Sequence, residues 1–398
     1  RRIVAVAVGC ALILVAGTWP QWQPRVSKSL SQTVKQSPAK PADATKASAS
    51  VLIDTSMTPA VASSIVATDE AISPRPTPGP WPGSFWENDE LVLASEKPIE
   101  ISDVPLRKGQ VIRARRGARA AVHVGRDGWR IDADEVRLND VDFFATDPGT
   151  IALVTVMGRH VEFHGCSWQG SRESSGSAAI AWIEPSDSAN AEDLLLCGEL
   201  RLSDCLVQRV DAGIRREGRG AVLVELANVL HLGPGALLEV SDPPRGDDSL
   251  ELIVSHVTLR DASALLLCRY DALPADPGQL IITAKDCALI PNADGGVVLF
   301  VGSAQPASLL RALEWTGHGS VIAQHAPLAR WLDSEGVPHS APDDAVAAAG
   351  LVRSDVGFAG EKTEGPSGSR IVRWQVPLQS TEPPGIRESR PLPAGTLR

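Results

Sequence analysis

The sequence predicts an all-β protein, a right-handed single-stranded parallel β-helix (solenoid), preceded by one transmembrane helix and a disordered linker. Two observations lead to this fold class. The phrase apolar-x-apolar-x-x-apolar-x-apolar recurs six times between residues 136 and 289. An apolar run lies near residue 1, and a stretch rich in Pro, Ser and Ala separates it from the repeats. A repeated unit that cannot bury its own apolar face stacks on copies of itself.

Residues 1–22 are predicted to form the transmembrane helix. Residues 3–19 are about 17 uncharged residues, just enough to span the hydrocarbon core at 1.5 Å per residue. Trp19 ends this run and Trp22 follows it, and Trp residues are common at membrane interfaces. A buried core helix and a cleaved signal peptide are the alternatives. The chain begins Arg1-Arg2 without Met, and we expect it to be the C-terminal piece of a longer polypeptide.

The charges that flank the apolar run bear on its orientation. Arg1 and Arg2 favour a cytoplasmic N-terminal side, whereas Lys and Arg residues between 25 and 46 favour the reverse. We expect a single-pass membrane protein in which the residues after 22 are extracytoplasmic. Residues 23–80 are rich in Ser, Ala, Thr, Lys and Pro, and they are predicted to be a disordered linker because they cannot bury enough apolar area to offset ordering entropy.

Residues 81–310 are predicted to form the parallel β-helix. Two short alternating strands, joined by a two-residue corner, make up each phrase, and the first positions are 25, 39, 24, 28 and 30 residues apart. Strands at 84–86 and 91–93 open the region, and 110–115 with 121–124 form a less regular first turn. Each phrase is expected to have a companion strand, as a turn of a β-helix requires. The first positions of the six phrases are Val136, Val161, Leu200, Val224, Leu252 and Ile282.

The corners and the inward positions explain several polar and sulfur-containing residues. The second corner residue is in turn Asp140, Gly165, Asp204, Asn228, His256 and Asp286. Asp, Asn and Gly tolerate left-handed backbone, so we expect these positions to adopt it. Cys166, Cys205 and Cys287 occupy inward positions and are predicted to be small core residues. Cys166 and Cys205 would be neighbours, and their redox state is left open.

Beyond the repeats the pattern fades. Residues 311–362 are predicted to be a C-terminal cap or irregular region that covers the last exposed strand edge. Residues 363–398 return to Pro and Gly and are predicted to be a mostly disordered tail. The longest gap between phrases contains an insertion at 171–196. An acidic solvated loop is the ordinary outcome for such an insertion, and a binding face is the alternative.

Few residues in the sequence point to chemistry. The net charge of −10 argues against a nucleic-acid partner. The outward phrase positions would form a ladder of opposite charges on successive repeats, a solubilising surface, with a sugar-processing site as the alternative. They are Arg137, Glu162, Arg201 and Glu225, followed by Ile253 and Thr283.

Histidine and tryptophan do not change that interpretation. The eight His residues lack the spacing of metal ligands. His231 falls at an inward position, where it is either a core imidazole or a sign that the register slips locally. Scattered Trp residues such as Trp81, Trp129 and Trp331 are expected to be packing residues, with a carbohydrate platform as the alternative. We assign no catalytic, cofactor-binding or metal-ligating residue, and we expect no cofactor.

The chain resembles the extracytoplasmic C-terminal β-helix region of bacterial membrane-anchored serine/threonine protein kinases, with a pectate-lyase-like fold. The resemblance rests on the apolar helix, the Pro/Ser/Ala linker, and rungs such as VRLNDVDFF, VEFHGCSWQG, LRLSDCLVQRVDAGI and LELIVSHVTLRDASALLLCR, with the segments 311–323 and 350–361. It implies a kinase domain upstream of Arg1. No Gly-rich phosphate loop, His-Arg-Asp or Asp-Phe-Gly motif occurs in this chain, so kinase activity would belong to that upstream part.

The sequence therefore predicts a non-catalytic extracytoplasmic binding or sensory module that serves signal transduction, with a cell-envelope glycan or a protein as ligand. The alternatives are a polysaccharide lyase or glycoside hydrolase of the β-helix type, or a structural cell-surface protein. Converging carboxylate and basic side chains in one groove would favour the enzyme, whereas a bland or alternating surface would favour the module.

Overall fold

The computed structural model of the chain describes residues 76–101, 109–171, 176–183, 198–218, 220–269, 277–302, 307–332, 337–361, 365–374 and 383–387. From Thr77 onward these residues belong to one compact unit. The predicted transmembrane helix (1–22) and almost all of the predicted linker (23–80) lie outside the described residues, as does most of the insertion at 171–196. Within the ranges just given, we find no helix with the length and apolarity needed to cross a membrane.

The protein is mostly β-structure arranged in two large, mainly parallel sheets, which confirms the predicted all-β class and the parallel pairing. The first sheet has two groups of strands. Those before residue 146 are β1 Thr77–Pro78, β2 Ser84–Glu87, β3 Glu90–Leu93, β4 Ile99–Glu100, β5 Gln110–Ala114, β6 Ala120–Val124, β8 Glu135–Asn139 and β9 Val141–Ala145. The later ones are β11 His160–His164, β12 Ser167–Gln169, β14 Gly198–Gln208, β16 Val222–Leu232, β18 Ser249–Ser255, β19 Thr258–Ala262, β21 Gln279–Lys285, β22 Ala288–Pro291, β24 Leu313–His318, β25 Ser320–Ala323 and β28 Leu351–Ser354.

The second sheet receives one strand from the chain between successive phrases. Its strands are β7 Trp129–Asp132, β10 Ala152–Met157, β13 Ala178–Ile183, β15 Ala212–Glu217, β17 Ala236–Val240, β20 Ala264–Arg269, β23 Val298–Val301, β26 Ala329–Leu332 and β27 Pro338–Ser340. We call one phrase together with its strand in the second sheet a rung. The chain thus returns to the first sheet once per rung, an arrangement consistent with a β-helix or a solenoid-like fold.

The six phrases pair in the same register from rung to rung. Val136 lies opposite Val161, Val161 opposite Leu200, and Leu200 opposite Val224. The same alignment continues through Leu252 and Ile282. Because side chains alternate between the faces of a strand, this register keeps every inward residue inward. Residues at the inward phrase positions are buried, and the sequence phrase therefore predicts the register of the first sheet.

The second corner residue of each phrase has left-handed backbone, as predicted. The φ values are 59° at Asp140, 63° at Gly165, 53° at Asp204, 54° at Asn228, 53° at His256 and 52° at Asp286. Gly319 extends this corner column to a seventh rung with φ 69°. A Cβ atom at Gly319 would overlap Asp286 Oδ1, so a larger residue there would require the Asp286 side chain to move.

The interior between the sheets changes in character along the rungs. Aromatic side chains fill the first rungs, where Trp81 meets Trp129 edge-on at 5.5 Å and Phe143 stacks on Trp168 at 5.7 Å between ring centroids. The middle rungs are filled mainly by Leu, Val and Ile, and Phe300 and Trp315 are buried in the late rungs. Cys166, Cys205 and Cys287 are buried in this core with free thiols, which confirms the predicted core role.

His231 occupies an inward position without any slip in register, because it lies opposite Val207 on one side and Leu259 on the other. It is fully buried, and Nε2 lies 3.0 Å from the carbonyl oxygen of Gly235. Nδ1 has no hydrogen-bond partner among the described residues. Burial lowers the pKa of His231 to about 4, so the imidazole is neutral at physiological pH.

Parallel pairing continues beyond residue 310, where the sequence predicted the β-helix to end. β24 pairs in parallel with β21, β25 with β22, and β28 with β25. The predicted cap region, 311–362, thus contributes further rungs. The short helices of this part are α1 Ala307–Ala312, α2 Asp344–Ala348 and α3 Pro366–Ser369, and an antiparallel pair is formed by β29 Gly357–Phe358 and β30 Ile371–Arg373.

Two described segments of the predicted disordered tail, 365–374 and 383–387, lie against the first sheet. Arg260 donates hydrogen bonds to the carbonyl oxygens of Gly360 and Gly368, and its guanidinium lies 4.2 Å from the ring centroid of Phe358. Ile386 packs on Leu206, Leu230 and Leu232. The sequence did not predict this docking, because its partners are outward apolar residues scattered over several rungs.

Candidate functional site

The outer face of the first sheet presents its side chains in vertical columns. Two columns run along the first strand of each phrase, and neighbours within a column come from successive rungs. One column was predicted from the sequence: Arg137, Glu162, Arg201 and Glu225. The other was not: Glu135, His160, Glu199 and Leu223. Both columns lie on the outer surface of the first four rungs.

Between these columns lies a cleft of about 500 Å³. We call it the charged cleft, and its lining residues are Gly109, Val111, Glu135, Val136, Arg137, His160, Val161, Glu162, Glu199 and Arg201. The charged side chains of the cleft all lie on strands that are hydrogen-bonded to the strands of the neighbouring rungs. Three carboxylates, two guanidiniums and one imidazole therefore meet on one preorganised surface.

Charges of opposite sign pair across the rungs. Arg137 Nε lies 3.1 Å from Glu162 Oε2, and Arg201 Nε lies 3.0 Å from Glu225 Oε2. These two contacts confirm the predicted ladder of opposite charges. The pairs are exposed at the surface, so each contributes only about 0–1 kcal/mol to stability.

The unpredicted column adds contacts within and between rungs. Arg201 Nε donates a hydrogen bond to Glu199 Oε1 at 2.5 Å, and this bond raises the pKa of Arg201 above its ordinary value. His160 Nδ1 lies 3.5 Å from Glu199 Oε2. The signal for this column was present in the sequence, since each member stands two residues before a predicted outward position. The phrase begins one residue too late to include it.

In the described part of the chain, the cleft provides carboxylate acceptors and guanidinium donors, most of which are paired with each other. Glycoside hydrolysis needs one carboxylate as base or nucleophile and one protonated carboxylic acid beside the leaving group. Here Glu162, Glu199 and Glu225 each contact an arginine at 2.5–3.1 Å. The arrangement can bind hydroxyl, ammonium and carboxylate groups of a ligand, because carboxylates accept hydrogen bonds and guanidiniums bind carboxylates in a bidentate manner.

A second polar cluster lies at the corners, where His164, Ser203 and Asp204 meet. His164 Nδ1 is 2.8 Å from Ser203 Oγ and 3.8 Å from Asp204 Oδ2. A Ser-His-Asp triad requires the hydroxyl and the carboxylate on different ring nitrogens. Both oxygens approach the same nitrogen here, so the cluster does not form a catalytic triad.

Two other kinds of site are a metal centre and an exposed aromatic platform for sugars. Across the ten described ranges, no group of three or more His, Cys, Asp or Glu side chains is placed to hold a metal ion. Trp81 and Trp129 are buried, and Trp331 stacks on His339 with 5.8 Å between ring centroids. Trp81 and Trp129 therefore pack the interior and cannot stack on a sugar.

Comparison of the chain with protein-family models, with curated proteins and with solved structures gave no match.

Proposed function

We propose that the two sheets are faces of a right-handed single-stranded parallel β-helix that serves as a non-catalytic extracytoplasmic binding or sensory module. Support for the fold comes from the constant register, the left-handed corner column and the return of the chain to both sheets in each rung. Attachment to the membrane through residues 3–19 is part of the proposal and rests on the sequence alone.

The ligand of the module, in this proposal, is a cell-envelope glycan bound in the charged cleft. The observation that carries it is the mutual pairing of the charged side chains in a cleft on rigid strands. Such a surface offers many hydrogen-bonding groups in fixed positions and little apolar area. Glycans present hydroxyl and charged groups at regular intervals, which matches this chemistry.

The module belongs, in the same proposal, to a receptor-like serine/threonine kinase whose kinase domain precedes Arg1. This part rests only on the resemblance described above. The genomic sequence upstream of Arg1 tests it directly. An open reading frame that encodes the kinase motifs would support the proposal, and a start codon at or near Arg1 would overturn it.

A polysaccharide lyase or glycoside hydrolase is the second candidate, because five charged side chains and one imidazole line one cleft. Glu135, Glu162 and Glu199 are the carboxylates that such an enzyme would use. Incubation of the full chain with acidic and neutral polysaccharides distinguishes the two. New reducing ends or unsaturated products that disappear in the Glu162→Gln variant would establish the enzyme and overturn the non-catalytic proposal.

Binding of the purified full chain to a bacterial envelope glycan array tests the module itself. We expect at least one glycan to bind, and Arg137→Ala with Arg201→Ala to weaken that binding by about tenfold or more. The matched control is Arg373→Ala, which removes another surface arginine that is 3.2 Å from Asp355. A silent array would favour a structural surface protein, whereas binding that the cleft variants leave unchanged would overturn the charged cleft as the glycan site.

A further inference from the structure

The charged cleft contains the same arrangement twice. Glu135-Val136-Arg137 on one rung is repeated as Glu199-Leu200-Arg201 two rungs away, with equivalent residues in register. A glutamate follows each arginine on the next rung, Glu162 after Arg137 and Glu225 after Arg201. Both arginines hold that glutamate through the same atoms, Nε and Oε2, at 3.1 and 3.0 Å.

The repeat has a defined length. Neighbouring strands in a sheet are about 4.8 Å apart, so equivalent groups two rungs apart recur about every 10 Å perpendicular to the strands. The pattern ends on both sides: Val111 precedes Arg137 in its column, and Ile253 follows Glu225. Among the described residues the surface therefore offers two Glu-x-Arg subsites, which differ in one neighbour: His160 follows Glu135 in its column, whereas Leu223 follows Glu199.

A periodic surface of this kind fits a periodic ligand that lies across the strands. A linked pyranose unit is close in length to one strand spacing, so two sugars would cover one repeat. In an extended peptide the side chains that face one side recur every second residue, about 6.6–7 Å apart, which does not match a repeat of about 10 Å. The period thus favours an oligosaccharide with a two-sugar repeat.

The charges determine which sugars would match. Arg137 and Arg201 are placed to bind a carboxylate on every second sugar, and Glu135, Glu162, Glu199 and Glu225 are placed to bind ammonium groups between them. These four carboxylates and two guanidiniums carry a net charge of −2 with His160 neutral. A purely anionic polymer would be repelled by that balance, whereas a zwitterionic one would replace the exposed internal ion pairs with equivalent pairs of its own.

We propose that the charged cleft binds a zwitterionic oligosaccharide in which an amino sugar with a free ammonium group alternates with a uronate, one disaccharide to each Glu-x-Arg rung. The inference rests on the proposed function and narrows it to one ligand class. It requires no chemical step, only the exchange of ion pairs within the cleft for ion pairs with the ligand.

The probe is N-deacetylated hyaluronan, in which glucosamine and glucuronate alternate, titrated calorimetrically into the purified full chain as di-, tetra- and hexasaccharides. We expect the tetrasaccharide, which covers both subsites, to bind about tenfold or more tighter than the disaccharide. The hexasaccharide should add little. The N-acetylated parent is only anionic, and a chitosan hexamer is only cationic. Each should bind at least about tenfold more weakly than the zwitterionic tetrasaccharide.

A charge-exchange variant isolates the order of the charges from their number. Arg137→Glu combined with Glu162→Arg keeps the ion pair and the net charge but breaks the two-rung period. We expect this variant to fold normally and to lose the advantage of the tetrasaccharide over the disaccharide. Its matched control exchanges an ion pair elsewhere, Asp355→Arg with Arg373→Asp, and should bind as the parent chain does.

The outcomes separate this inference from the proposed function. If the anionic parent binds as tightly as the zwitterionic sugar, or if the charge-exchange variant keeps the tetrasaccharide advantage, the zwitterionic ligand is overturned. Glycan binding that still depends on the cleft would then leave the proposed module intact. Tighter binding of a Lys-Glu alternating peptide than of the sugar overturns the saccharide class. Failure of every glycan to bind, together with cleft variants that change nothing, overturns both.

Discussion

The backbone N–H of Ile386 donates a hydrogen bond to Thr258 Oγ1 at 3.0 Å and so joins two residues that are 128 positions apart. The residues on either side make parallel contacts: Gly385 N–H donates to the carbonyl oxygen of Asp286 at 2.7 Å, and Arg387 N–H donates to Asn228 Oδ1 at 2.7 Å. Three consecutive residues thus bind three successive rungs. The segment runs across the strands and ties these rungs together.

Removal of the Ile386 side chain tests whether this segment stabilises the fold. Ile386 is half-buried against Leu206, Leu230 and Leu232. Ile386→Ala should lower the free energy of unfolding by about 1–2 kcal/mol, less than the 2–5 kcal/mol of a fully buried site. Urea denaturation of the two proteins measures it. Val372→Ala, at a position that is 53% exposed, is the control and should change little. Equal stability of the two variants would mean that the segment is not bound in solution.

A side chain at the Gly319 corner should be poorly tolerated, because Asp286 of the neighbouring rung occupies the space that its Cβ atom would need. Gly319 has φ 69°, and a Cβ atom there would overlap Asp286 Oδ1, whereas Gly117 has φ 73° with open space around it. Gly117→Ala should cost about 1 kcal/mol from the backbone conformation alone. Gly319→Ala should cost about 1–3 kcal/mol more, since overpacking is added. Thermal unfolding compares them, and equal losses would contradict the close approach of these rungs.

His231 should make stability depend on pH in the acidic range. Its pKa is about 4 in the folded protein, below the ordinary 6.5, because burial disfavours the charged imidazole. Between these two values the unfolded chain binds a proton that the folded chain does not, so stability falls as pH falls from 6.5 towards 4. The full loss from this group is about 3 kcal/mol.

Replacement by leucine tests that dependence. His231→Leu should remove this part of the pH profile, because the neighbours Val207 and Leu259 are aliphatic and leucine carries no proton. Urea unfolding at several pH values gives the profiles. Exposed His325 serves as the control, and His325→Gln should retain the parent profile. If the free energy of unfolding of the parent chain did not change between pH 4 and 6.5, the lowered pKa of His231 in the folded protein would be contradicted.

The core thiols should be chemically inert in the folded state. Burial raises the pKa of Cys166 and of Cys287 to about 12, so almost no thiolate exists near pH 8. Iodoacetamide labelling followed by peptide mass mapping should leave both residues unmodified until the protein is unfolded in denaturant. Rapid labelling of either residue in buffer would mean that its rung opens frequently.

Much of the first sheet could be predicted from the sequence because its periodicities are local. Alternation of apolar residues fixes which side chains point inward, and the two-residue corner fixes where the backbone turns, as Asp140 and Asp204 illustrate. Stacking then follows from the need to bury the inward face. The outward order of Arg137, Glu162, Arg201 and Glu225 follows from the same register, and so the sequence predicted the contacts between them.

The remaining features depend on distances that the repeat does not encode. The hydrogen bond from Arg201 to Glu199 and the approach of His160 to Glu199 depend on the side-chain conformations of these residues, which the repeat does not encode. Docking of Ile386 on Leu206 and Leu230 joins residues from distant parts of the chain. Neither relationship has a sequence period, so no pattern could have indicated it.

The sequence by itself determined the β-class, the rung register and the inward and corner positions, because each rests on interactions between equivalent residues of neighbouring repeats. Tertiary structure alone decided the contacts that the side chains make within the charged cleft and the binding of residues 385–387 across three rungs. The physical reason is that these depend on where non-equivalent side chains meet after the rungs have stacked, and on which outward faces are then left for other segments to cover.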